Sequence, residues 1–565
     1  MRLRLRKSFV ALVFLLALHP APAKASDAAP APDSLAGSDL TQGEAARALD
    51  SLFRGRPNEA LGYLATLEPR AAGEPLFHIV RARCYQEFVP MDDADNAAGR
   101  ERSKPALQNL DRCIDVCTRR LDAGDPDPRL SLYRGWAWMS KAYVRSMTRD
   151  FYSAGREAKK GKTDLERYLA ERPDDPTATG LLGAFLYFAD TVPGAFKFLS
   201  KLLMLPTGDR NKGLEDLQIA VRGGGLMGTD WKIILYNVYF YFEGRFEEGI
   251  AGLQDLIETY PEYARTAIPL AVSRPYAPSL AARNDDLVET TISRVYGAPN
   301  REVDWNALYL VQLSRAYGDR YCSHSRTTEA RLRSIIHESP RHPDWVSAFA
   351  RLELGRLYAS RGKREEAVAL FESVARGPGF DYLRKEAEVL LRDVGRFGHV
   401  FEGTPLPDMD EWVWAVYRSA PDSIAAIRGR FAELATRSVA ARFYTAECDL
   451  LLGNFDGALQ VFTEVISAEA AAWDQTYQMI ASTRIAEIYA SSGYYKTAAR
   501  YQGIALSYYH NEYLVDWVLE GRKRYFERLG EGKEALPPPT LFSANVRAGR
   551  TGGGGPKTSP RVQDD

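Results

Sequence analysis

The chain has 565 residues, 45% apolar and 26% charged, with a formal charge of −1. Those proportions are ordinary for a soluble globular protein. The near-neutral balance argues against nucleic acid as the main partner, because phosphate binding needs an excess of Lys and Arg.

The N-terminus reads MRLRLRKSFVALVFLLALHPAPAKAS. Arg2, Arg4, Arg6 and Lys7 form a basic region, Phe9 to Leu18 an apolar run, and Ala23-Lys24-Ala25 a small-x-small cleavage pattern. Residues 1–25 are therefore read as a secretory signal peptide. The apolar run is shorter than the ~20 residues that span a bilayer; an uncleaved short anchor is the alternative. No Cys lies near the cleavage point, which argues against a lipoprotein anchor. Removing this segment removes five basic residues and takes the formal charge to about −6. Residues 26–40, rich in Ala, Pro, Asp and Ser, read as a flexible spacer. Five cysteines, Cys84, Cys113, Cys117, Cys322 and Cys448, are too few and odd in number for a disulfide scaffold. Cys113 and Cys117 share a helical face and read as small core residues.

From residue 41 to 530, apolar residues recur every three or four positions, without the alternation of strands, which predicts an all-helical chain. One frame recurs within it. FRGRPNEALGYLATL has Gly55, Ala60 and Leu64. IILYNVYFYFEGRFEEGIAGLQDLIETYP has Gly244, Gly249, Leu253 and a closing Pro261. LELGRLYASRGKREEAVALFESVA has Gly362, Ala367 and Phe371, with Gly355 ahead of them. CDLLLGNFDGALQVFTEVI has Gly453, Ala458 and Phe462. RIAEIYASSGYYKTAARYQGIAL has Gly493 and Ala498, but Gln502 at the large apolar position. A turn glycine ends one helix, a small residue five later lets the next helix cross closely, and a large apolar residue four further on fills the space beside it.

This frame resembles the tetratricopeptide repeat (TPR), a helix–turn–helix unit of about 34 residues. The resemblance implies an all-α, TPR-like right-handed α-solenoid of stacked antiparallel helix pairs, in which neighbouring pairs share one core. Spacing is irregular, with 40 residues from Ala458 to Ala498. Prolines and acids in AVSRPYAPSLAARNDDL (271–287) and GTPLPDMDE (403–411) suggest three helical blocks, 41–270, 271–402 and 403–530. Residues 531–565 read as a disordered tail.

The run VPGAFKFLSKLLMLP, ahead of TGDRNKGLEDLQIAV, is apolar but for a narrow lysine stripe. Three readings stay open for Phe196, Lys197, Phe198 and Lys201: a buried helix of the array, a docking face for a protein, or a membrane-surface helix with its lysines toward anionic head groups. Thr207 or Asp209 is the predicted cap of the next helix. This unit also resembles a segment of the eukaryotic inclusion-body-clearance family of TPR proteins and its bacterial relatives, which implies a scaffold rather than a catalyst.

Catalytic signals are sparse. HExxH, GxSxG and paired CxxC motifs are absent. GGGLMGTD (223–230) lacks the lysine of a phosphate loop and reads as a turn between helices. No cofactor is expected, and the histidines do not form a metal set. In TPR proteins the first helix of each pair faces a concave groove. The resemblance therefore implies that Val238, Arg356, Glu447 and Glu487, at the ninth position of their repeats, face a protein or peptide partner, with Trp231 and Tyr241 pointing the same way. None of the four is Asn, which puts the carboxylate-clamp function of chaperone-binding members in doubt. The alternative is that these side chains pack the next repeat. The function expected is a non-catalytic protein–protein interaction scaffold or adaptor in the bacterial envelope, in the periplasm or on the periplasmic side of the outer membrane. An envelope hydrolase or sugar-polymer enzyme carried on a helical-repeat scaffold is the alternative. The sequence does not speak to oligomeric state.

Overall fold

The computed structural model describes residues 42–88, 97–147, 150–191, 208–276, 281–297, 305–322, 325–338, 344–378, 381–398, 409–417, 419–508 and 513–533. The signal peptide, the spacer, residues 192–207 and the tail from 534 lie outside the described residues.

Among the described residues there are 24 α-helices, one π-helix and no strand. In chain order the first eight are α1 (Gln42–Phe53), α2 (Pro57–Ala71), α3 (Pro75–Gln86), α4 (Ala97–Asp122), α5 (Arg129–Met147), α6 (Phe151–Glu171), α7 (Pro176–Thr191) and α8 (Arg210–Gly223). Then come α9 (Gly228–Asn237), the π-helix Val238–Glu243, α10 (Phe246–Thr259), α11 (Ala264–Ser273), α12 (Ala281–Gly297), α13 (Trp305–Cys322), α14 (Ser325–His337), α15 (Asp344–Ser360) and α16 (Arg364–Ala375). The last eight are α17 (Asp381–Arg396), α18 (Asp410–Val416), α19 (Pro421–Leu434), α20 (Val439–Leu451), α21 (Phe455–Ser467), α22 (Gln475–Ser491), α23 (Tyr495–Ala505) and α24 (Tyr513–Gly530). Consecutive helices joined by such short turns lie antiparallel and pack on each other. The chain is an all-α solenoid of the TPR type.

The repeated frame has a single physical basis. Gly55, Gly244, Gly362, Gly453 and Gly493 all have positive φ, between 66° and 81°. At four of these turns the hydrogen bonds are those of a Schellman motif. In the α20–α21 turn, Gly453 N donates to Leu450 O at 3.1 Å and Asn454 N to Asp449 O at 2.8 Å. Asn454 then caps α21, its side chain accepting from Gly457 N. The bonds are matched in kind at Gly55, Gly362 and Gly493. The small residues Ala60, Ala367, Ala458 and Ala498 and the large ones Leu64, Leu253, Phe371 and Phe462 are fully buried. A Cβ on Gly355 would collide with the Phe371 ring, so this glycine sets how closely α15 and α16 approach. Asp209 caps α8 as expected, accepting from Lys212 N at 3.0 Å. A closer crossing joins α7 and α8. There a Cβ on Gly183 or Gly213 would lie 3.1 or 2.7 Å from the other's carbonyl oxygen.

The described residues divide into two compact units. The first draws on Met1–Tyr239, Glu248–Ala267 and Leu287–Leu308, the second on Phe240–Glu247, Ile268–Asp286 and Tyr309–Asp565. Two short segments, 240–247 and 268–286, thus fold with the C-terminal helices. The end of the second unit has its own core of Ala486, Ala498, Ala499, Tyr525, Phe526 and Leu529, flanked by Tyr489 and Tyr501. Cys84, Cys113, Cys117 and Cys448 are buried thiols.

Candidate interaction face

In a helix hairpin of this kind, one face of the first helix packs on its partner and the other is left for the inner curve. In the second unit, α15, α20 and α22 are the first helices of their pairs. Their middle turns are buried all round: every residue from Leu352 to Ala359 and from Thr476 to Ala486 is shielded from solvent. A helix covered on every side has something lying on its inner face.

The inner-face side chains show what that is. Arg356 in α15 pairs with the Glu386 carboxylate of α17, sits 3.3 Å from Glu353 through Nε, and donates from Nη1 to the backbone carbonyl of Ala472 at 3.1 Å. Glu447 in α20 accepts from Arg484 Nε at 2.7 Å and from the Tyr417 hydroxyl at 3.0 Å. Arg484 Nη2 donates to Pro275 O at 2.9 Å. Glu487 in α22 is gripped side-on by Arg522, Nε to Oε1 at 2.8 Å and Nη2 to Oε2 at 2.9 Å. Arg522 Nη1 donates to Gly244 O at 2.6 Å, and its guanidinium lies over Phe246, Phe526 and Tyr525 at 4.8, 4.9 and 5.4 Å. Arg528 pairs with the Glu243 side chain at 2.7 Å. Burial alone would lower the Arg522 pKa, but the Glu487 carboxylate outweighs it and holds the guanidinium charged.

A repeating unit emerges. Each inner-face arginine takes a carboxylate from a neighbouring helix and a main-chain carbonyl from a distant part of its own unit. Those carbonyls belong to the α21–α22 loop, to the turn just after α11 and to the turn after the π-helix. The chain itself thus supplies the backbone acceptors that a bound peptide would otherwise offer.

This corrects the expectation for the six groove residues. Trp231, Val238, Tyr241, Arg356 and Glu447 are each no more than 1% exposed, so no partner touches their side chains. Glu487 keeps 17% of its side chain exposed but both oxygens are held by Arg522. In the first unit Trp231 fills the space that Gly180 leaves open, where a Cβ would strike its ring. Tyr241 meets Phe240 edge to face at 4.8 Å. The physical reason is that these positions pack within the array, the alternative the sequence left open. Phe196, Lys197, Phe198 and Lys201 lie outside the described residues.

Sequence reasoning missed two of the large apolar side chains that face solvent. Leu451 is 44% and Tyr494 58% exposed. They flank the turn glycines of two successive hairpins, Leu451 just before Leu452-Gly453 and Tyr494 just after Gly493. Leu452, Phe455 and Tyr495 beside them are half-buried, and Tyr489 stacks on Tyr501 at 5.6 Å behind Tyr494. Both groups sit at the turn that joins the two helices of their hairpin, and in a stack of hairpins such turns fall on the same edge. The signal was present in LLGNF and SGYY, which carry large apolar residues where a solvent-facing turn calls for polar ones. Among the described residues, no group of three or more His, Cys, Asp or Glu is placed to hold a metal ion. No described helix is long and apolar enough to cross a membrane.

No known protein family matches the chain, and no curated protein is significantly similar to it in sequence. Among solved structures it is similar to a human IFIT1 dimer with PPP-AAAA, at 15% identity and a TM-score of 0.29, covering 81% of this chain and 94% of that one. It is also similar to the P58(IPK) TPR domain, at 14% identity and a TM-score of 0.18, covering 79% of this chain and all of that one. A third is Naa15/Naa10 bound to HypK-THB, at 13% identity and 0.19, covering 90% and 94%. These scores are low, and the fold assignment rests on the chain's own glycine turns and helix pairs.

Proposed function

We propose that this protein is a non-catalytic scaffold or adaptor of the bacterial cell envelope that binds protein or peptide partners. The observation that carries the reading is the exposure of Leu451 and Tyr494, with half-buried Leu452, Phe455 and Tyr495 beside them, at successive hairpin turns of the second unit. Such side chains gain by being covered, and aromatic residues of this kind anchor protein interfaces. The binding site of this reading is the turn edge of the array rather than its inner curve, which the chain fills itself. Export rests on the basic, apolar and small-residue pattern of residues 1–25. Periplasmic location, or attachment on the periplasmic side of the outer membrane, is part of the same proposal.

The test is cross-linking of the full-length protein in its native envelope, followed by identification of captured proteins, for the wild type and for the double variant Leu451→Asp/Tyr494→Asp. Both substitutions sit on exposed positions, so an unchanged circular dichroism spectrum and melting temperature are expected. Loss of a specific set of captured proteins supports the reading. An identical set in both, or turnover of cell-wall polymer by the purified protein, overturns it. N-terminal sequencing of the mature protein tests the export signal, with Ser26 as the expected first residue.

A further inference from the structure

In the first unit, α6 sorts its charges by side. On its inward face Glu157 lies 3.4 Å from the Lys141 ammonium, and Asp164 takes the Arg134 guanidinium through two bonds of 2.8 Å, both partners lying on α5. On its outward face Tyr152, Arg156, Lys159, Lys160 and Thr163 are all exposed, at the three- and four-residue spacing that puts them in one row. Further along the row Glu166 pairs with Lys162, and Arg167 lies 4.0 Å from Asp164. Arg156, Lys159 and Lys160 form no ion pair among the described residues.

Two aromatic rings orient this row. The crossing of α5 and α6 is close because each helix has a glycine there: a Cβ on Gly161 would lie 3.0 Å from the Gly135 carbonyl oxygen. Lys160 precedes the one glycine and Trp138 lies about a turn past the other, so the Lys160 ammonium rests 4.1 Å from the centre of the Trp138 ring. At the start of α6 the Arg156 guanidinium lies 5.7 Å from the centre of the Tyr152 ring, which is 56% exposed. Such cation–π contacts hold long side chains that would otherwise lose rotamer freedom on binding. Three uncompensated cations thus stand along about 12 Å of helix, two of them already oriented.

The shape of the row selects the class of partner. Stacking of nucleic acid bases needs open ring faces, and Trp138 and Tyr152 each already carry a cation. A helix that lies on a membrane sets Trp, Phe or Leu opposite its basic face to enter the lipid, whereas the opposite face of α6 is packed on α5. An extended polypeptide places alternate side chains on one side about 7 Å apart. That spacing brings successive carboxylates to Arg156 and to the Lys159–Lys160 pair, about one helical turn further on, and Arg156 can take its carboxylate side-on.

We propose that the row of Arg156, Lys159 and Lys160, flanked by Tyr152 and Trp138, is a docking site for an acidic stretch of extended polypeptide. It lies in the first unit and uses none of the turn-edge residues, so it stands or falls separately from them.

Fluorescein-labelled octaglutamate is the probe, titrated with the full-length protein at low ionic strength. Fluorescence anisotropy is expected to show saturable binding that weakens as salt is added, with none for octaglutamine. Arg156→Gln/Lys159→Gln/Lys160→Gln weakens it by about tenfold or more. Arg376→Gln/Lys385→Gln/Arg392→Gln removes the same charge from exposed positions of the second unit and leaves binding unchanged. Leu451→Asp/Tyr494→Asp also leaves it unchanged, which separates this site from the turn edge. Should the triple variant on α6 fail to fold, Lys159→Glu alone decides, by the same loss in smaller measure. No saturable binding, equal weakening by the second-unit variant, or tighter binding of phosphatidylglycerol vesicles or of a single-stranded oligonucleotide of equal charge would each overturn the assignment.

Discussion

Arg522 and Glu487 face each other with two parallel hydrogen bonds of 2.8 and 2.9 Å, and the remaining nitrogen of the arginine holds the main chain at Gly244. One side chain thus ties α22, α24 and the segment after the π-helix. Removing one member of a buried pair leaves the other charge without compensation, which costs about 3 kcal/mol or more. Arg522→Met should lower the urea midpoint of the second unit accordingly. The double variant Arg522→Met/Glu487→Leu should recover part of that loss, because it removes the orphaned charge. The Gly244 carbonyl stays unpaired in both. Far-UV circular dichroism against urea measures each.

Gly355 and Gly453 are both replaceable by alanine in principle, but for different costs. At Gly355 the added methyl meets the Phe371 ring, and overpacking of this kind costs about 1–3 kcal/mol. At Gly453 the space is open, and only the φ of 78° opposes a side chain, costing about 1–2 kcal/mol. The double variant Gly355→Ala/Phe371→Leu should regain part of the first loss, and no apolar substitution should regain the second. Thermal melts of the wild type and these three variants compare them.

Gln502 takes the slot that the other frames give to Leu or Phe. It is fully buried, with a 3.5 Å contact to Thr483 and an Oε1 that accepts nothing. Gln502→Leu removes a buried unsatisfied acceptor and should stabilise the protein by about 1 kcal/mol. A higher melting temperature confirms this, and a lower one would mean the slot is shaped for the amide.

His78 in α3 is buried, and its Nε2 lies 2.9 Å from Ala72 O. Burial lowers its pKa, with the Ala72 carbonyl opposing only in part. Above about pH 6.5, the unfolded value, the ring is neutral in both states and contributes nothing to pH dependence. As pH falls through that value the unfolded chain binds a proton that the folded chain does not, so stability is lost. The loss levels off once pH drops below the depressed folded value. His78→Gln should flatten the stability profile between pH 7 and 5, as read from melting temperatures across that range.

The hairpins were legible in the sequence because their cause is local. A glycine that must take positive φ, a small residue at the crossing and a large one beside it all fall within ten residues, and each of Gly55, Gly362, Gly453 and Gly493 does what its spacing implies. The inner face was not legible, because its cause is remote. Nothing in a repeat frame says that Arg484 will meet Pro275, 209 residues away in the chain. One sign was available. TYQMIASTRIA, the body of α22, has no charged face, and a helix without one is covered on both sides. The π-helix over Val238–Glu243 had no signal, since VYFYFE differs little from an ordinary buried helical run.

Arg522 follows Gly244 by 278 residues, and Phe242 likewise waits for Trp517, whose ring it meets at 4.8 Å. At ~5–20 residues per second, a chain built from its N-terminus leaves Phe242 and Phe246 without their partners Trp517 and Arg522 for on the order of tens of seconds. The early segment is thus a client for any chaperone that holds sticky nascent polypeptide, and a ribosome stalled before α24 would present it indefinitely. Unlike an array in which each repeat settles on the one before it, this molecule locks its middle only when its final helix arrives.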